Sequence, residues 1–247
     1  MLLFGNLLIE LDTIDSTNEY LLRKSRERKC YEGEVVLAHF QDSGRGQRNA
    51  LWESQPGQNL MFSIYLQPSF LSGNNYFLLS KAVAMSVFEE VKNICQNHEV
   101  EVKWPNDIYV NKKKIAGILI ENQFKGTNLK QAIVGVGLNV NQTSFEIETA
   151  TSLKLETSQS FDTKTLLERI LTRLEKYYLK LRQGNSLVLE LNYDNNLMHY
   201  NQLVKYKTSS GDFFYGTIKK VENNGYLVMQ EGEELNRYAF KEIAFII

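Results

Sequence analysis

The chain has 247 residues, enough for one large domain or for a large and a small one, and its 43% hydrophobic content is that of a globular protein. A net charge of −1 excludes a general nucleic-acid or membrane-surface binder, which needs a strong basic excess, and no apolar run approaches the roughly 20 residues of a membrane span. Met1 to Glu10 lacks the basic start and cleavage site of a signal peptide, and Cys30, Cys95 and the three histidines are too scattered for a disulfide framework or a metal site, so a cytoplasmic, reduced setting is expected.

In chain order, residues 7–12 predict a strand. Ser16-Thr17-Asn18-Glu19 then carries the S-x-x-E pattern of a capping box and opens a helix through Leu21 and Leu22. Glu34 to Phe40 reads as a buried strand. Residues 41–51 are polar, hold two glycines and have no apolar periodicity, which predicts a long loop of the functional kind. Pro56-Gly57 turns the chain into a strand from Leu60 to Leu66. Phe77, Leu78, Val83, Val87, Val91 and Ile94 form one apolar stripe of a helix over 76–95. Strands are predicted at 100–104, 107–110 and 114–121, with Asn111-Lys112-Lys113 as the hairpin tip between the last two. Ala132 to Val140 is a further strand, and residues 163–182 form a second long helix with Leu166, Ile170, Leu174, Tyr178 and Leu181 in register.

From about residue 203 short strands alternate with turns, of which Asn224-Gly225 is the strongest hairpin signal. The predicted fold class is therefore α+β: a mixed-sheet domain packed with helices over residues 1–202, followed by a small all-β domain over 203–247.

Two segments carry chemistry. In Gly44-Arg45-Gly46-Gln47-Arg48 the glycines let backbone amides converge on an anion and the arginines add planar donors, but a solvated Gly-Arg-Gly turn accounts for the same residues. In Lys103-Trp104-Pro105-Asn106-Asp107 and the following Lys114-Ile115-Ala116-Gly117-Ile118-Leu119, strand alternation places Lys114 on the face of Ala116, Ile118 and Ile120. A lysine there calls for an anionic partner, unless it lies at the strand's mouth and reaches solvent. Gly117 suggests close approach of a ligand or another backbone. Asp107 is either a functional carboxylate or a turn aspartate. Ser16, Thr17 and Asn18 may be read as caps, and Gln41 as a loop start, until something joins them.

What joins them is order. Asp15-Ser16-Thr17-Asn18, Gln41 with Gly44-Arg45-Gly46, Trp52, Lys103 through Asp107, Lys114 with Gly117-Ile118-Leu119, and Gly135-Val136-Gly137-Leu138-Asn139 together resemble the biotin protein ligase family, in family order and nearly family spacing. The resemblance covers about residues 8–182 as a catalytic domain, and the tail resembles the family's SH3-like C-terminal domain. It implies an ATP-dependent biotin–[acetyl-CoA-carboxylase] ligase. Biotin is activated as biotinyl-5′-AMP and transferred to a lysine of a biotin carboxyl carrier protein, with ATP and Mg2+ as co-substrate and ion and no permanently bound cofactor.

By the same resemblance Lys114 contacts biotin's carboxylate and the adenylate phosphate, with Arg45 and Lys103 as further catalytic cations and Asp107 positioning the incoming amine. Ser16, Thr17, Asn18 and Gln41 read biotin's polar ring. Gly44, Arg45, Gly46, Gln47 and Arg48 form the loop over biotin and adenylate, with Trp52, Gly117 and Leu119 also on the ligand. Asn106 and Asn139 attend the nucleotide. No protein metal ligand, DNA or membrane partner is implied, since no residues precede the catalytic segment for a helix-turn-helix domain. A homodimer is left open as an assembly, since the sequence does not fix the oligomeric state. The chain departs from many relatives at Gln47, where they have arginine, at Asn49, where they have glycine, and at Ala50, where some have a basic residue. Two alternatives stand beside this reading: a lipoate or octanoate ligase, which would need an apolar acyl pocket, and a non-catalytic biotin or adenylate sensor.

Overall fold

A computed structural model describes residues 4–46 and 52–246. Strands β1 (Leu8–Ile14), β2 (Val35–Gln41), β3 (Leu60–Leu66), β4 (Val100–Lys103), β5 (Asp107–Val110), β6 (Lys113–Lys125) and β7 (Asn128–Leu138) form one sheet in the order β1-β2-β3-β7-β6-β5-β4. Only the β1–β2 pair is parallel, so the sheet is mixed as expected. β6 and β7 are longer than predicted, because their polar outer halves continue the ladder to Lys125 and Asn128 without an apolar signal.

Both faces of the sheet centre are covered, which is why β2 and β3 read as continuous apolar runs. Val35, Leu37, Phe62 and Ile64 face a large core shared with helices α2 (Phe77–Ile94) and α4 (Thr163–Arg182). Val36 and Tyr65 point the other way, to a smaller cluster with Leu21 of α1 (Thr17–Arg26). The stripe predicted for α4 is buried as read, and Asp162 caps it by accepting from Thr165 N at 2.8 Å. Helices α3 (Leu153–Thr157) and α5 (Leu187–Asn195) escaped the sequence reading. The first has five residues, and the second leaves Leu187, Val188 and Leu191 exposed, so its apolar positions do not mark its buried side.

The capping box is not formed. Ser16 stands at the N-cap of α1 with extended backbone but makes no side-chain cap bond, and Glu19 pairs with Arg45 instead. The hairpin tip is correct: Asn111 and Lys112 both take positive φ, at 48° and 66°, the combination a tight two-residue turn demands.

Strands β8 (Leu203–Thr208), β9 (Phe213–Val221), β10 (Leu227–Glu231), β11 (Glu234–Tyr238) and β12 (Ile243–Phe245) form a separate antiparallel sheet, ordered β11-β10-β9-β8-β12, the SH3-like module expected of the tail. It is clasped to the body. The Asn224-Gly225 turn sits against Phe77, Trp104 Nε1 donates to Gly225 O at 3.1 Å, and the buried Lys81 amine donates to Val221 O at 2.5 Å. Among the described residues no helix is long and apolar enough to cross a membrane.

Candidate active site

Strand register builds the floor of a cleft. Lys103 of β4, Asp107 of β5, Gly117 of β6, Gly137 of β7 and Met61 of β3 are successive cross-strand partners, so their side positions share one face of the sheet. A second row, Leu119, Gly135 and Ser63, lies two residues further along on the same face. Three glycines in two rows leave the sheet centre without side chains, and the space above it is a cleft of about 420 Å³.

The glycines are needed for what lies on them. A Cβ at Gly137 would stand 2.5 Å from Trp52 Cε2, and one at Gly117 would stand 3.1 Å from Trp52 Cζ3. A Cβ at Gly135 would fall 2.3 Å from Asn18 Oδ1. Close approach of a ligand or another backbone was expected at Gly117; the approaching group is a side chain, the Trp52 indole, whose buried Nε1 has no partner among the described residues. Gly44 holds the Trp52 backbone, its carbonyl accepting from Trp52 N at 2.9 Å, but does not itself line the cleft.

Lys114 faces the cleft for a reason the alternation missed. The β5–β6 register runs Asp107 to Gly117, Ile108 to Ala116, then Tyr109 to Lys114, leaving Ile115 as the extra residue of a bulge. Ile115 and Ala116 both enter the main core, and parity reverses behind them. Lys114 therefore lies with Gly117, not with Ala116 and Ile118: a Cβ at Gly117 would be 3.3 Å from its Cε and Nζ. Its amine sits 2.8 Å from Asp107 Oδ1, close enough for an ion pair although not aligned as a hydrogen bond.

Lys103 is the second cation. Its Nζ donates to Tyr109 Oη at 3.2 Å and lies 4.9 Å and 5.7 Å from the Tyr109 and Phe245 ring centres. Burial pushes its pKa down, and the Asp107 carboxylate only partly offsets this. The neighbouring Tyr109 phenol is pushed up to about 12 by burial. Arg45 also borders the cleft, with its guanidinium held by Glu19.

Over β3 and β7 the lining changes from charged to neutral polar. Gln41 Oε1 accepts from Thr17 N at 2.7 Å and from Thr17 Oγ1 at 3.0 Å. Ser63 Oγ lies 2.7 Å from Thr17 Oγ1 and 2.6 Å from Asn18 Oδ1, and Asn18 Nδ2 donates to Glu121 Oε2 at 2.8 Å. The start of α1 is thus spent on this network instead of on capping. Ser63 and Glu121 were not singled out from sequence, although a lone serine inside Leu-Met-Phe-Ser-Ile-Tyr-Leu was the available signal.

The structure thus gathers Ser16, Thr17, Asn18, Gln41, Arg45, Gly46 and Trp52 with Lys103, Asn106, Asp107, Lys114, Gly117 and Leu119 around one cleft. Asn106 borders it with its amide already donating to Ile118 O at 2.7 Å. Asn139 is not in the wall: it is buried, its Nδ2 donates to Thr151 O at 2.9 Å, and its Oδ1 has no partner among the described residues. Gln47 and Arg48, with Asn49 and Ala50, fall outside the described residues. The C-terminal module supplies a wall that sequence reading did not place there, including Phe240, Lys241 and Phe245. Among the described residues no three His, Cys, Asp or Glu side chains gather as a metal site.

The sequence profile of the Biotin/lipoate A/B protein ligase family matches residues 10–139. The Bifunctional ligase/repressor BirA of Bacillus spizizenii is 29% identical over 240 residues, covering 94% of this chain and 72% of that protein. The Biotin–[acetyl-CoA-carboxylase] ligase of Mycobacterium tuberculosis is 26% identical over 220 residues, covering 88% and 80%. A solved structure of biotin protein ligase from Aquifex aeolicus in complex with biotin and ATP superposes with a TM-score of 0.79 at 26% identity, covering 97% of this chain and 98% of that one.

Proposed function

The chain belongs to the biotin/lipoate A/B protein ligase family, and we propose that it is an ATP-dependent biotin protein ligase. One observation carries the choice within the family: a single cleft has neutral hydrogen-bonding groups over β3 and β7 and cations over β4 to β6. A bicyclic urea needs the first and a carboxylate turning into an acyl phosphate needs the second. A purely aliphatic acyl chain would leave Thr17, Asn18 and Gln41 of the cleft wall facing apolar surface, which buried polar groups do not tolerate cheaply.

In this reading biotin's carboxylate oxygen attacks the α-phosphorus of ATP, and the bond to pyrophosphate breaks. Negative charge gathers on phosphate oxygens, where Lys114, Lys103 and Arg45 oppose it from fixed positions. Magnesium would enter with ATP and would offset part of the charge on its phosphates. A lysine amine of a biotin carboxyl carrier protein then attacks the acyl carbon of biotinyl-5′-AMP, and the bond to AMP breaks. Phosphate drawing Lys114 away would free Asp107 to hold that amine, so the pair is a placeholder for two ligands at once. Asn106 attends the nucleotide with its free oxygen. Asn139 acts on the site from beneath: its backbone N donates to Ile115 O at 2.9 Å and so braces the bulge. The body to residue 202 would carry the chemistry, with the module beyond it closing one wall.

Incubation with ATP, Mg2+ and biotin, lipoate or octanoate in separate reactions tests this, with adenylates read by mass spectrometry. Biotinyl-5′-AMP alone is expected. A preference for lipoate or octanoate would move the chain to the sister activity, and biotin binding with no adenylate would make it a sensor.

A further inference from the structure

Two of the three cations on the phosphate side of the cleft, Lys114 and Arg45, are held by carboxylates, while Lys103 donates to the Tyr109 hydroxyl. Asp107 holds Lys114 inside the cleft, and Glu19 holds Arg45 at its border. Glu19 is the residue after Asn18 in the first turn of α1, is not itself part of the cleft wall, and keeps about a fifth of its side chain exposed, against 41% for Arg45. The S-x-x-E spacing would give it a local task in helix capping, but its carboxylate is turned to the guanidinium instead.

A carboxylate and a phosphate use the same planar donors of arginine. Whatever Arg45 gives to a phosphate, Glu19 gives up. We propose that Glu19 is a positioning residue that competes with the adenylate phosphate for Arg45 and thereby lowers affinity for biotinyl-5′-AMP and for AMP. The inference rests on the reading of Arg45 as a phosphate-side cation. Its use in the reaction is at the end: after transfer the leftover phosphate is on AMP, and reclaiming Arg45 by Glu19 speeds the product's departure. The pair is solvent-touched, so the effect is small, about two- to fivefold, the range of exposed ion pairs.

The test compares wild type, Glu19→Gln, Arg45→Ala and the double variant, titrated with purified biotinyl-5′-AMP and with biotin. Glu19→Gln is expected to bind the adenylate about two- to fivefold more tightly and release it more slowly, with biotin affinity unchanged. Damage to the helix start would instead weaken both ligands, since Thr17 and Asn18 lie on the same turn. Arg45→Ala should weaken adenylate binding, and adding Glu19→Gln to it should change nothing further. Equal or weaker adenylate binding by Glu19→Gln, with Arg45→Ala still impaired, overturns the competition and leaves Arg45's role standing. Wild-type adenylate binding by Arg45→Ala removes that role and the competition with it.

Discussion

Lys81 and Lys114 are both amines set inside the fold, and they differ in what holds them. Lys81 is fully buried, with its amine on the Val221 carbonyl and 3.3 Å from Asn223 Oδ1, and its ring neighbour Tyr193 is 5.5 Å away. Those partners are neutral and belong to the seam between body and C-terminal module. Lys114 has a third of its side chain exposed and a carboxylate for a partner, above a floor of glycine. Burial alone does not mark a functional lysine. What marks it is a partner that an anionic ligand can replace, with space for that ligand to enter.

The largest effect should come from Lys114→Ala. Adenylate formation, followed by pyrophosphate exchange, is expected to fall by about 10²–10³-fold, the loss typical of one preorganised charge-stabilising donor. The melting temperature should fall only modestly, because water reaches the pair: the Lys114 side chain is a third exposed and that of Asp107 a fifth. A lowered melting point with exchange within threefold of wild type would reverse the contrast between the two lysines.

Lys81→Met should do the opposite. It removes a charged donor from two acceptors in the seam, and a loss of about 1.5–3 kcal/mol in denaturant unfolding is expected. Exchange activity measured well below the melting point should stay within about twofold. Full stability would show that the methionine is an adequate filler and that the seam does not depend on the amine.

Gly137→Ala sharpens the idea that the floor must be empty. Its Cβ would meet the Trp52 indole at 2.5 Å, so the ring must shift, at a cost of about 1–3 kcal/mol. Weaker biotin binding, by about tenfold in calorimetry, is the expected outcome at about 1.4 kcal/mol of that cost. Undiminished affinity would mean that the indole is not held in place for the ligand.

The smallest effect concerns pH. Burial lowers the pKa of Lys103 below its ordinary 10.5. Its charged form is therefore less favoured folded than unfolded, and the stability cost it carries fades as pH rises from the folded value toward 10.5. For activity the sign is reversed: the phosphate-side charge is lost in the same window. An alkaline limb of adenylation below 10.5 is expected, moving upward in Lys103→Arg, whose guanidinium does not titrate there. An unmoved limb would assign it to another group.

The fold was legible where apolar spacing was strong, as in α2, α4, β2 and β3, although α2 also buries Lys81, Ser86 and Glu90 outside its predicted stripe and leaves Ile94 only partly buried. It failed where burial and spacing part company. α5 turns Leu187, Val188 and Leu191 outward, and the distal halves of β6 and β7 are ladder without core. At the site, residue types alone left Ser16, Thr17, Asn18, Gln41 and Asp107 open to local readings; the family resemblance grouped them with Lys103 and Lys114, and the structure sets all seven around one cleft. Two things could not be read locally. Glu19 has a capping role by spacing and takes a different partner only because residue 45 is folded beside it. The Phe240 to Phe245 wall arrives by domain docking, through contacts such as Trp104 to Gly225 that span more than a hundred residues.

The bulge at Ile115 makes the orientation of Lys114 a matter of counting. Inserting one residue between Lys114 and the bulge would remove no charged group and no hydrogen-bonding side chain, yet strand alternation would turn the amine into the oily layer, whereas deleting Ile115 would leave Lys114 two residues from Gly117 and still on the cleft face. Length, at this point in the strand, is as much a part of the chemistry as identity. A strand lengthened by one residue between Lys114 and Ile115 should be inactive with every cleft residue still encoded, and crystallography of that variant would show on which side the amine had landed.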